Sequence, residues 1–408
     1  MSKYDAVIIG AGIAGLSVAA RLGRKGKRVV IIDPATAVGG NSLDVSLDGL
    51  YYSPGPAACF GFEQNGPLRN LCSELGITLK FHHDKAPYQI VLPDHRITVF
   101  PDKDHTIQEL SREFPREMEN VRKIYRELLG VFNASKKSRV KAYLAERRSA
   151  KEFLAPFHLS RGLTAFFNVQ ALIFFGMPVA SLRLSSLALL ISTFPQTVND
   201  GLSGLAASLG NIISGTSGTI RLGEPWPQLT GRSNIVTGVV TGSGTLEARS
   251  VIINTLEQGS ERRWLIGIRP DVVPVCMRDT VVYLPDYDKP FNVMTMTMPD
   301  NTSGSAGNDL RALRVSFYGP ESTTASDILL ERICAIIPFL RNHLMTGGEE
   351  DLSALSYPAE KLPAHHTASR HELTLAEGCK RIKNVIFIPD RNPGLGQTVM
   401  EAHRLARG

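Results

Sequence analysis

Glycines and one acid near the start of the chain have the spacing of a dinucleotide-binding turn. Gly10, Gly12 and Gly15 form a GxGxxG pattern in "GAGIAG", directly after the apolar run "YDAVII". In such a turn the first glycine permits a tight bend, the second lets backbone approach a pyrophosphate, and the third lets helix pack on strand. Asp33 lies 18 residues past Gly15, near the usual distance for an acid that binds ribose hydroxyls and disfavours a 2′-phosphate. The pattern predicts a pyrophosphate site at a helix N-terminus, and a glycine-rich turn with an N-capping aspartate is the alternative.

Two further glycine turns suggest more than a simple NAD site. Gly39 and Gly40 begin six residues past Asp33, and a plain NAD dehydrogenase does not need them. The chain also closes on "FIPDRNPGLGQTVMEAHRLARG", which is an apolar run, a glycine turn and a helix-like segment. Because an apolar run, a glycine turn and a helical segment recur at both ends, we expect the two ends to lie in one domain. A second domain would then be inserted between them.

No set of catalytic side chains is evident. The sequence has no HExxH motif, no paired carboxylates and no recognisable Ser/His/Asp set, and His366 and His371 are five residues apart, a poor match to one helical face. With His365 they are predicted to be surface histidines rather than metal ligands, so no metal is expected.

The five cysteines form no CxxC motif, which suits a reducing compartment, and no basic leader precedes the first apolar run. These features predict a cytoplasmic protein whose chemistry, if any, is carried by a cofactor.

The charge is mildly basic and locally concentrated. The net charge is +6 with a pI near 9.0, and "KKSRVKAYLAERRSAK" (136–151) is the main basic stretch. A solvated helix face is the first interpretation, and contact with an anionic membrane surface is the second. Nucleic acid is not an expected partner, since Tyr143 is the one aromatic residue interleaved there.

One long uncharged stretch is a candidate for a membrane-spanning helix. Residues 163–182, "LTAFFNVQALIFFGMPVASL", could reach across a bilayer by length. Asn168, Gln170, Gly176 and Pro178 interrupt it, and proline would break or bend a helix there. We therefore expect buried helices that line an apolar cavity.

The remaining elements follow from hydrophobic periodicity and turn residues. The first strand, helix and strand should form a right-handed parallel βαβ unit. "YQIVLPDHRITVF" predicts a hairpin that turns at Asp94 and His95. Predicted strands are 4–9, 28–32, 219–222, 235–240, 244–254, 280–284, 292–298 and 311–317, and predicted helices are 14–25, those within 105–155 and 161–195, and 325–345.

The first 42 residues resemble a flavoprotein signature. "YDAVIIGAGIAGLSVAARLGRKGKRVVIIDPATAVGGNS" is similar to the N-terminal flavin-binding segment of the phytoene-desaturase-like and amine-oxidase-like proteins. "DGLYYSPGPA" (48–57) resembles the segment that lies under the flavin ring in that family, and "APYQIVLPDHRITVFPDKDHTIQEL" resembles the hairpin and helix of its desaturase branch. "ALIFFGMPVASL" resembles the apolar substrate-domain helix, and "TIRLGEPWPQL" with "ARSVIINT" resembles the second nucleotide-domain segment. The likeness covers most of the chain in order.

The resemblance implies FAD as the cofactor and an α/β fold. That fold is a Rossmann-like FAD-binding domain, with a parallel sheet, helices and a β-meander, plus an inserted α+β substrate domain. The implied boundaries are 1–80, 205–262 and 375–408 for the FAD-binding domain, and 81–204 and 263–374 for the substrate domain. The residues implied to bind FAD are Gly10, Gly12, Ile13, Ala14, Gly15, Asp33, Pro34, Gly39, Gly40, Asn41, Ser42, Gly55, Pro56, Trp226, Asp390, Gly394, Gly396 and Thr398.

Three positions depart from the family pattern. Asn41 stands where an arginine usually follows the paired glycines, and Pro389 removes one backbone N–H near the last turn. Trp226 replaces a small β-branched residue that touches adenine. It could stack on the adenine or be plain core, and both interpretations stay open.

The implied activity is that of an FAD-dependent oxidoreductase. Its substrate would be hydrophobic, of isoprenoid or polyene type, and would undergo hydride removal or isomerisation. Absence of aromatic residues in "PDRNPGLG" counts against a polar amine substrate. The alternatives are a flavin oxidase or dehydrogenase of a smaller polar molecule, and a non-catalytic nucleotide-binding protein with a degenerate FAD site.

The helix at 136–151 with the following "FLAPFHL" is a candidate face for peripheral membrane contact, and the protein is expected to be a monomer or homodimer.

Overall fold

A computed structural model describes the greater part of the chain. The residues described are 4–42, 45–47, 50–52, 59–81, 87–196, 198, 201–232, 235–254, 262–268, 270–298, 311–318, 326–340, 357–358 and 385–387.

Strands and helices are numbered along the chain. The strands are β1 (Tyr4–Ile9), β2 (Val29–Asp33), β3 (Val45–Leu47), β4 (Leu50–Tyr52), β5 (Tyr88–Val91), β6 (Arg96–Val99), β7 (Thr219–Leu222), β8 (Gln228–Arg232), β9 (Ile235–Thr241), β10 (Gly244–Ile253), β11 (Arg262–Ile268), β12 (Thr280–Tyr283), β13 (Val293–Thr297), β14 (Arg311–Tyr318), β15 (Tyr357–Pro358) and β16 (Val385–Phe387). The α-helices are α1 (Ile13–Arg24), α2 (Pro67–Leu75), α3 (Lys103–Glu113), α4 (Met118–Lys137), α5 (Arg139–Arg147), α6 (Ala150–Leu154), α7 (Arg161–Phe175), α8 (Leu184–Ser192), α9 (Gly201–Ser214) and α10 (Ser326–Ile336).

The first sheet is parallel at its centre. Its order is β7-β2-β1-β10, and β16 pairs in parallel with the other edge of β10. Residues 244–247 of β10 pair instead with β9, which pairs with β8, and these antiparallel strands form a meander. β1 and β16 therefore lie on either side of β10. This agrees with the prediction, from the pattern that recurs at the two ends of the sequence, that both ends belong to one domain. The Rossmann-like parallel sheet with a β-meander is confirmed.

Both faces of this sheet are covered. Ile8 of β1 packs with α1 and α9 on one face, while Val7 and Ile9 pack with the meander on the other, and all three side chains are fully buried. Strands buried on both faces read as continuous apolar runs, which is why "AVII" and "VVII" lack the alternation of a half-exposed strand.

A second sheet supports the helical part of the chain. Its order is β15-β11-β14-β13-β12-β5-β6, antiparallel except where β12 pairs with β5. The predicted hairpin at Asp94 and His95 is confirmed as β5 and β6. Helices α4, α7 and α8 pack on one face, and α10 packs on the other. This is the predicted α+β composition, and the domain boundaries given above stay predictions.

The uncharged stretch 163–182 forms most of the buried helix α7 and a short turn, and the buried helix α8 follows it. α7 ends at Gly176 in the left-handed conformation, and Pro178 precedes the next turn. Asn168 accepts the N–H of Val179 at 3.1 Å, and Gln170 accepts the hydroxyl of the buried Tyr88 at 2.8 Å. The polar residues that interrupt the run are therefore satisfied inside the fold. No helix among the described residues combines the length and apolar character needed to cross a membrane.

Several elements were not predicted. α9, "GLSGLAASLGNIIS", has the small-residue composition of a loop, yet Leu202, Leu205, Leu209 and Ile213 form a buried stripe against α1. α2, β3, β4, β8, β11 and β15 were also missed, and the helix predicted over 325–345 is described as Ser326–Ile336. Short or glycine-rich elements of this kind are fixed by what they pack against more than by local pattern.

Burial of Cys59 gives the fold a sensitivity to alkaline pH. Burial, with a smaller contribution from Glu63, raises the pKa of the Cys59 thiol from 9.0 to about 12. Between those values the unfolded chain gives up a proton that the folded protein keeps, so stability is full below about pH 9 and falls as pH rises. We expect Cys59 alone to lower the free energy of unfolding by about 1.4 kcal/mol per pH unit in that window. Urea unfolding from pH 8 to 11 should therefore show a shallower decline for Cys59→Ala than for wild type. An equal slope would contradict this, and the exposed Cys276→Ala is the control.

Candidate dinucleotide site

The turn between β1 and α1 requires its first glycine. Gly10 has φ +103°, and its N–H donates to Ile32 O of β2 at 2.9 Å. A Cβ at this position would lie 2.0 Å from the backbone oxygen of Asn254, which follows β10. The close approach of three strand ends, rather than the turn alone, excludes a side chain here.

The first turn of α1 is open to an anion. Gly12 is the N-cap, no side chain in the described part of the chain caps the helix, and the first turn contains no acidic residue. The N–H of Leu16 reaches Gly12 O at 2.9 Å, so the N–H groups before it have no intrahelical acceptor. Of the residues that the structure describes, a Cβ built on Gly12 would meet only the Asn254 amide nitrogen within 4 Å, at 3.2 Å. The space beside Gly12 and the first-turn N–H groups that lack an intrahelical acceptor fit a phosphate.

The packing of Ile13, Ala14 and Gly15 fixes the position of helix α1. The side chains of Ile13 and Ala14 are buried in the cluster shared by α1, α2 and α9. A Cβ on Gly15 would lie 2.2 Å from Gly10 O, so the third glycine brings the helix against the strand end as the motif predicts.

The second glycine turn contacts the first. Gly39 forms a parallel bridge with Gly12 and donates its N–H to Ala11 O at 2.9 Å. Gly40, at φ +55°, would carry a Cβ 3.2 Å from the Cα of Gly12. Ser42 is buried at the end of the short turn Gly40–Ser42, which also contains Asn41. Two glycine turns that are remote in sequence therefore form one backbone-lined surface.

Asp33 ties these turns together. One carboxylate oxygen accepts the N–H of Ala11 at 2.6 Å, and the other accepts the N–H of Ala35 at 2.8 Å. The side chain is buried at the end of β2, and Pro34 beside it is half-buried. Each carboxylate oxygen keeps a further lone pair, so the group can hold the loop and still accept a ribose hydroxyl.

Asn254 is a site residue that the sequence reasoning missed. Its N–H donates to Ile9 O at 2.8 Å, and its amide nitrogen lies close to Gly12 and Gly15. The signal in the sequence was a polar residue directly after the apolar run "VII", because ligands bind at the carboxyl ends of parallel strands. Using that signal requires knowing that β10 lies beside β1, which is a long-range pairing.

Trp226 packs partly into the core. It follows β7 and lies against the cluster between β1 and the meander that includes Val7 and Val239. Its indole nitrogen is buried and has no hydrogen-bond partner among the described residues. The core interpretation accounts for its packing, and stacking on adenine stays a prediction.

Other predicted residues lie outside the described part of the chain. These are Gly55, Pro56, Pro389, Asp390, Gly394, Gly396, Thr398, His365, His366 and His371. Among the described residues, no group of three or more His, Cys, Asp or Glu side chains could hold a metal ion.

The geometry defines a Rossmann-like dinucleotide-binding domain joined to a second α+β unit. A family model described as an NAD(P)-binding Rossmann-like domain matches residues 8–75. Prolycopene isomerase 1 of an Oncidium hybrid cultivar is 35% identical over 136 residues, which are 32% of this chain and 23% of that protein. A phytoene desaturase (neurosporene-forming) of Rhodobacter capsulatus is 24% identical over 295 residues, 65% of this chain and 54% of that protein. The chain thus spans about a quarter and about half of these curated relatives.

Solved structures share the fold over nearly the whole chain. An oxidoreductase from Methanosarcina mazei has a TM-score of 0.61 at 13% identity and covers 100% of both chains. Putrescine oxidase with putrescine bound has a TM-score of 0.62 at 16% identity, over 100% of this chain and 98% of that one. At this identity the likeness shows the fold. The sequence relatives confirm the resemblance to phytoene-desaturase-like proteins, and the solved amine oxidases share the fold.

Proposed function

We propose that this chain is an FAD-dependent oxidoreductase of the phytoene-desaturase-like type. Its substrate would be a hydrophobic isoprenoid or polyene that undergoes hydride removal or isomerisation. The observation that carries the proposal is the joined pair of glycine turns at the uncapped N-terminus of α1, with Asp33 held at the end of β2. The names of the relatives, which are carotenoid desaturases and isomerases, support the substrate class.

The residues of the first sheet would bind FAD mainly through backbone. The first-turn N–H groups of α1 and the positive end of its dipole would hold the pyrophosphate, and Gly12 would let it approach. Asp33 would accept a ribose hydroxyl, and the second glycine turn would lie along the cofactor beyond Gly12. The residues proposed to lie near the flavin are Gly55, Pro56, Asp390, Gly394, Gly396 and Thr398. When bound, FAD supplies the hydride acceptor.

The protein's part in the chemistry would be to hold an apolar substrate and exclude water. α7 and α8 bury a dense set of aromatic and aliphatic side chains, including Phe166, Phe167 and Leu187. Tyr88 next to them donates to Gln170, and burial raises its pKa well above the ordinary value, so it stays protonated near neutral pH. Tyr88 is therefore not a base for this reaction, and we assign no catalytic side chain.

Two alternatives rest on particular observations. A flavin oxidase of a smaller polar substrate is favoured by solved structures such as putrescine oxidase and cyclohexylamine oxidase, which share the fold. A non-catalytic nucleotide-binding protein is favoured by Asn41 and Pro389, which depart from the flavoprotein pattern. We further propose a monomer or homodimer in the cytoplasm that contacts a membrane surface to collect its substrate.

The visible absorbance spectrum, before and after addition of FAD, tests the cofactor. We expect flavin bands that co-purify or that persist through desalting once FAD is added. A colourless protein that rejects added FAD would overturn the enzyme proposal and favour the non-catalytic alternative. If FAD binds, anaerobic bleaching of the flavin by an acyclic polyene, but not by putrescine, is the expected result. Bleaching by putrescine alone would favour the amine-oxidase-like alternative.

A further inference from the structure

Helix α5 presents an apolar face to solvent. Val140, Tyr143 and Leu144 are 67%, 57% and 54% exposed, and their i, i+3, i+4 spacing places them on one side of the helix. Ala142 and Ala145 occupy the opposite side, where α5 packs against α4 and α8. The helix is therefore amphipathic in an inverted sense, because small residues face the core and large apolar residues face outward. Three exposed large apolar residues on one helix face mark a contact surface.

Basic side chains surround this face. Residues 136–151 contain seven Lys or Arg and one acid, Glu146. Removing these from the chain's 45 basic and 39 acidic residues leaves 38 of each, so this segment accounts for the whole net charge of +6. Among the described residues, none of the seven forms an ion pair with a carboxylate. The positive charge is free to meet an external anionic partner.

Two of the cations lie against aromatic rings. The Lys136 ammonium is 4.3 Å from the ring centre of Phe132, and Arg147 lies 5.5 Å from that of Tyr143 and donates to its hydroxyl at 2.6 Å. Tyr143 and Arg147 thus combine an apolar ring with a polar tip. Side chains of this amphipathic kind are favoured at the boundary between headgroups and acyl chains.

The large apolar residues of "FLAPFHL" are buried or half-buried. Phe153 is buried, and Leu154 and Phe157 pack against the core cluster of the helical unit. The sequence predicted that this segment would share in membrane contact; that stays a prediction, but its large apolar side chains are engaged with the core. The exposed apolar residues lie one helix earlier, within the basic stretch itself.

We propose that α5 docks this protein on an anionic lipid bilayer. Val140, Tyr143 and Leu144 enter the headgroup–acyl boundary, and the surrounding Lys and Arg side chains contact lipid phosphates. A protein partner fits less well, since lysine is depleted in protein interfaces and this segment carries the chain's whole excess of positive charge. Nucleic acid would use the charge but leave the apolar side chains without a role. The inference rests on the proposed function and deepens it, because it names the phase from which an isoprenoid substrate is collected.

Vesicle co-sedimentation of the full chain tests the docking face. Wild type should bind vesicles of phosphatidylcholine with phosphatidylglycerol and bind poorly to phosphatidylcholine alone. Lys137→Glu with Arg139→Glu should lower partitioning about tenfold or more. The matched control is Arg122→Glu with Arg126→Glu on the exposed side of α4, which changes the net charge equally and should bind as wild type. A second variant, Val140→Ser with Leu144→Ser, should lose the binding that survives raised salt.

Four results of these experiments would overturn the proposal. It fails if wild type does not sediment with anionic vesicles, or if the α4 control loses as much binding as the α5 variant. It also fails if Val140→Ser with Leu144→Ser changes only the oligomeric state in size-exclusion chromatography, or if wild type binds a DNA duplex and not vesicles. FAD absorbance measured on the same samples is a separate readout. A protein that binds vesicles but not FAD would contradict the proposed function and leave the docking face standing, and the reverse result would do the opposite.

Discussion

Replacing Gly10 with alanine is expected to lower the free energy of unfolding by about 3–5 kcal/mol and to abolish FAD binding. Gly10 has a positive φ, and a Cβ there would lie 2.0 Å from the backbone oxygen of Asn254 and 3.0 Å from its carbonyl carbon. Backbone cannot rotate aside as a side chain can, so the end of β10 would have to move away from β1. Urea unfolding monitored by far-UV circular dichroism measures the loss.

A matched glycine separates the collision from the strain of positive φ. Gly26 also has positive φ, at +73°, but an added Cβ there would meet no described residue within 4 Å. Gly26→Ala should therefore cost only the left-handed strain, about 1–2 kcal/mol. If Gly10→Ala cost no more than Gly26→Ala, the close packing of the strand ends would not be the reason for the glycine.

A companion variant keeps the binding claim testable if Gly10→Ala does not fold. Gly12 has an ordinary φ of −71°, and its added Cβ would meet, among the described residues, only the Asn254 amide nitrogen, at 3.2 Å. Gly12→Ala should therefore fold with nearly wild-type stability while its methyl group fills the space proposed for the pyrophosphate. Loss of FAD absorbance from a folded Gly12→Ala protein is the expected result, and full retention of FAD would move the pyrophosphate away from this turn.

The sequence predicted the elements whose causes are local. The pattern of "YDAVIIGAGIAG" predicts a strand, a turn and the start of a helix within 12 residues. In the structure, each boundary of the first βαβ unit differs from the predicted one by at most one residue. Asn254 could not be predicted in the same way, because its contact with the turn depends on β10 lying beside β1. Glycine-rich α9 was missed for a related reason. Its helical state is supported by burial against α1, which local composition does not reveal.

Exposure was the other property that sequence pattern could not supply. "FLAPFHL" and "VKAYL" are both apolar and both adjoin basic residues, so either could meet a membrane. The difference is the contact with the helical core, which buries Phe153 and leaves Val140 and Leu144 in solvent. Periodicity tells which residues share a helix face, but the neighbouring helices decide which face is covered.

Replacing Asp33 with alanine is expected to lower the free energy of unfolding by about 2–4 kcal/mol as well as to remove FAD. The sequence alone predicts that this residue binds ribose hydroxyls, with an N-capping aspartate as the alternative. The structure gives it a second task, because its two oxygens accept the N–H groups of Ala11 and Ala35 at 2.6 and 2.8 Å in a buried setting. Without the carboxylate those donors lose a charged acceptor, and the turn that would bind pyrophosphate loosens.

Asp5 provides a matched comparison between the same two strands. Its carboxylate accepts the N–H of Arg28 at 3.0 Å at the opposite end of β1 and β2, but in a more exposed position. Water can replace that acceptor, so Asp5→Ala should cost less than about 1 kcal/mol and leave FAD binding intact. Urea unfolding of the FAD-free proteins and FAD titration of each variant measure the two effects separately. Equal stability of Asp33→Ala and Asp5→Ala would show that the buried pair of hydrogen bonds does not hold the turn. Loss of FAD by Asp33→Ala would then be due to the ribose contact alone.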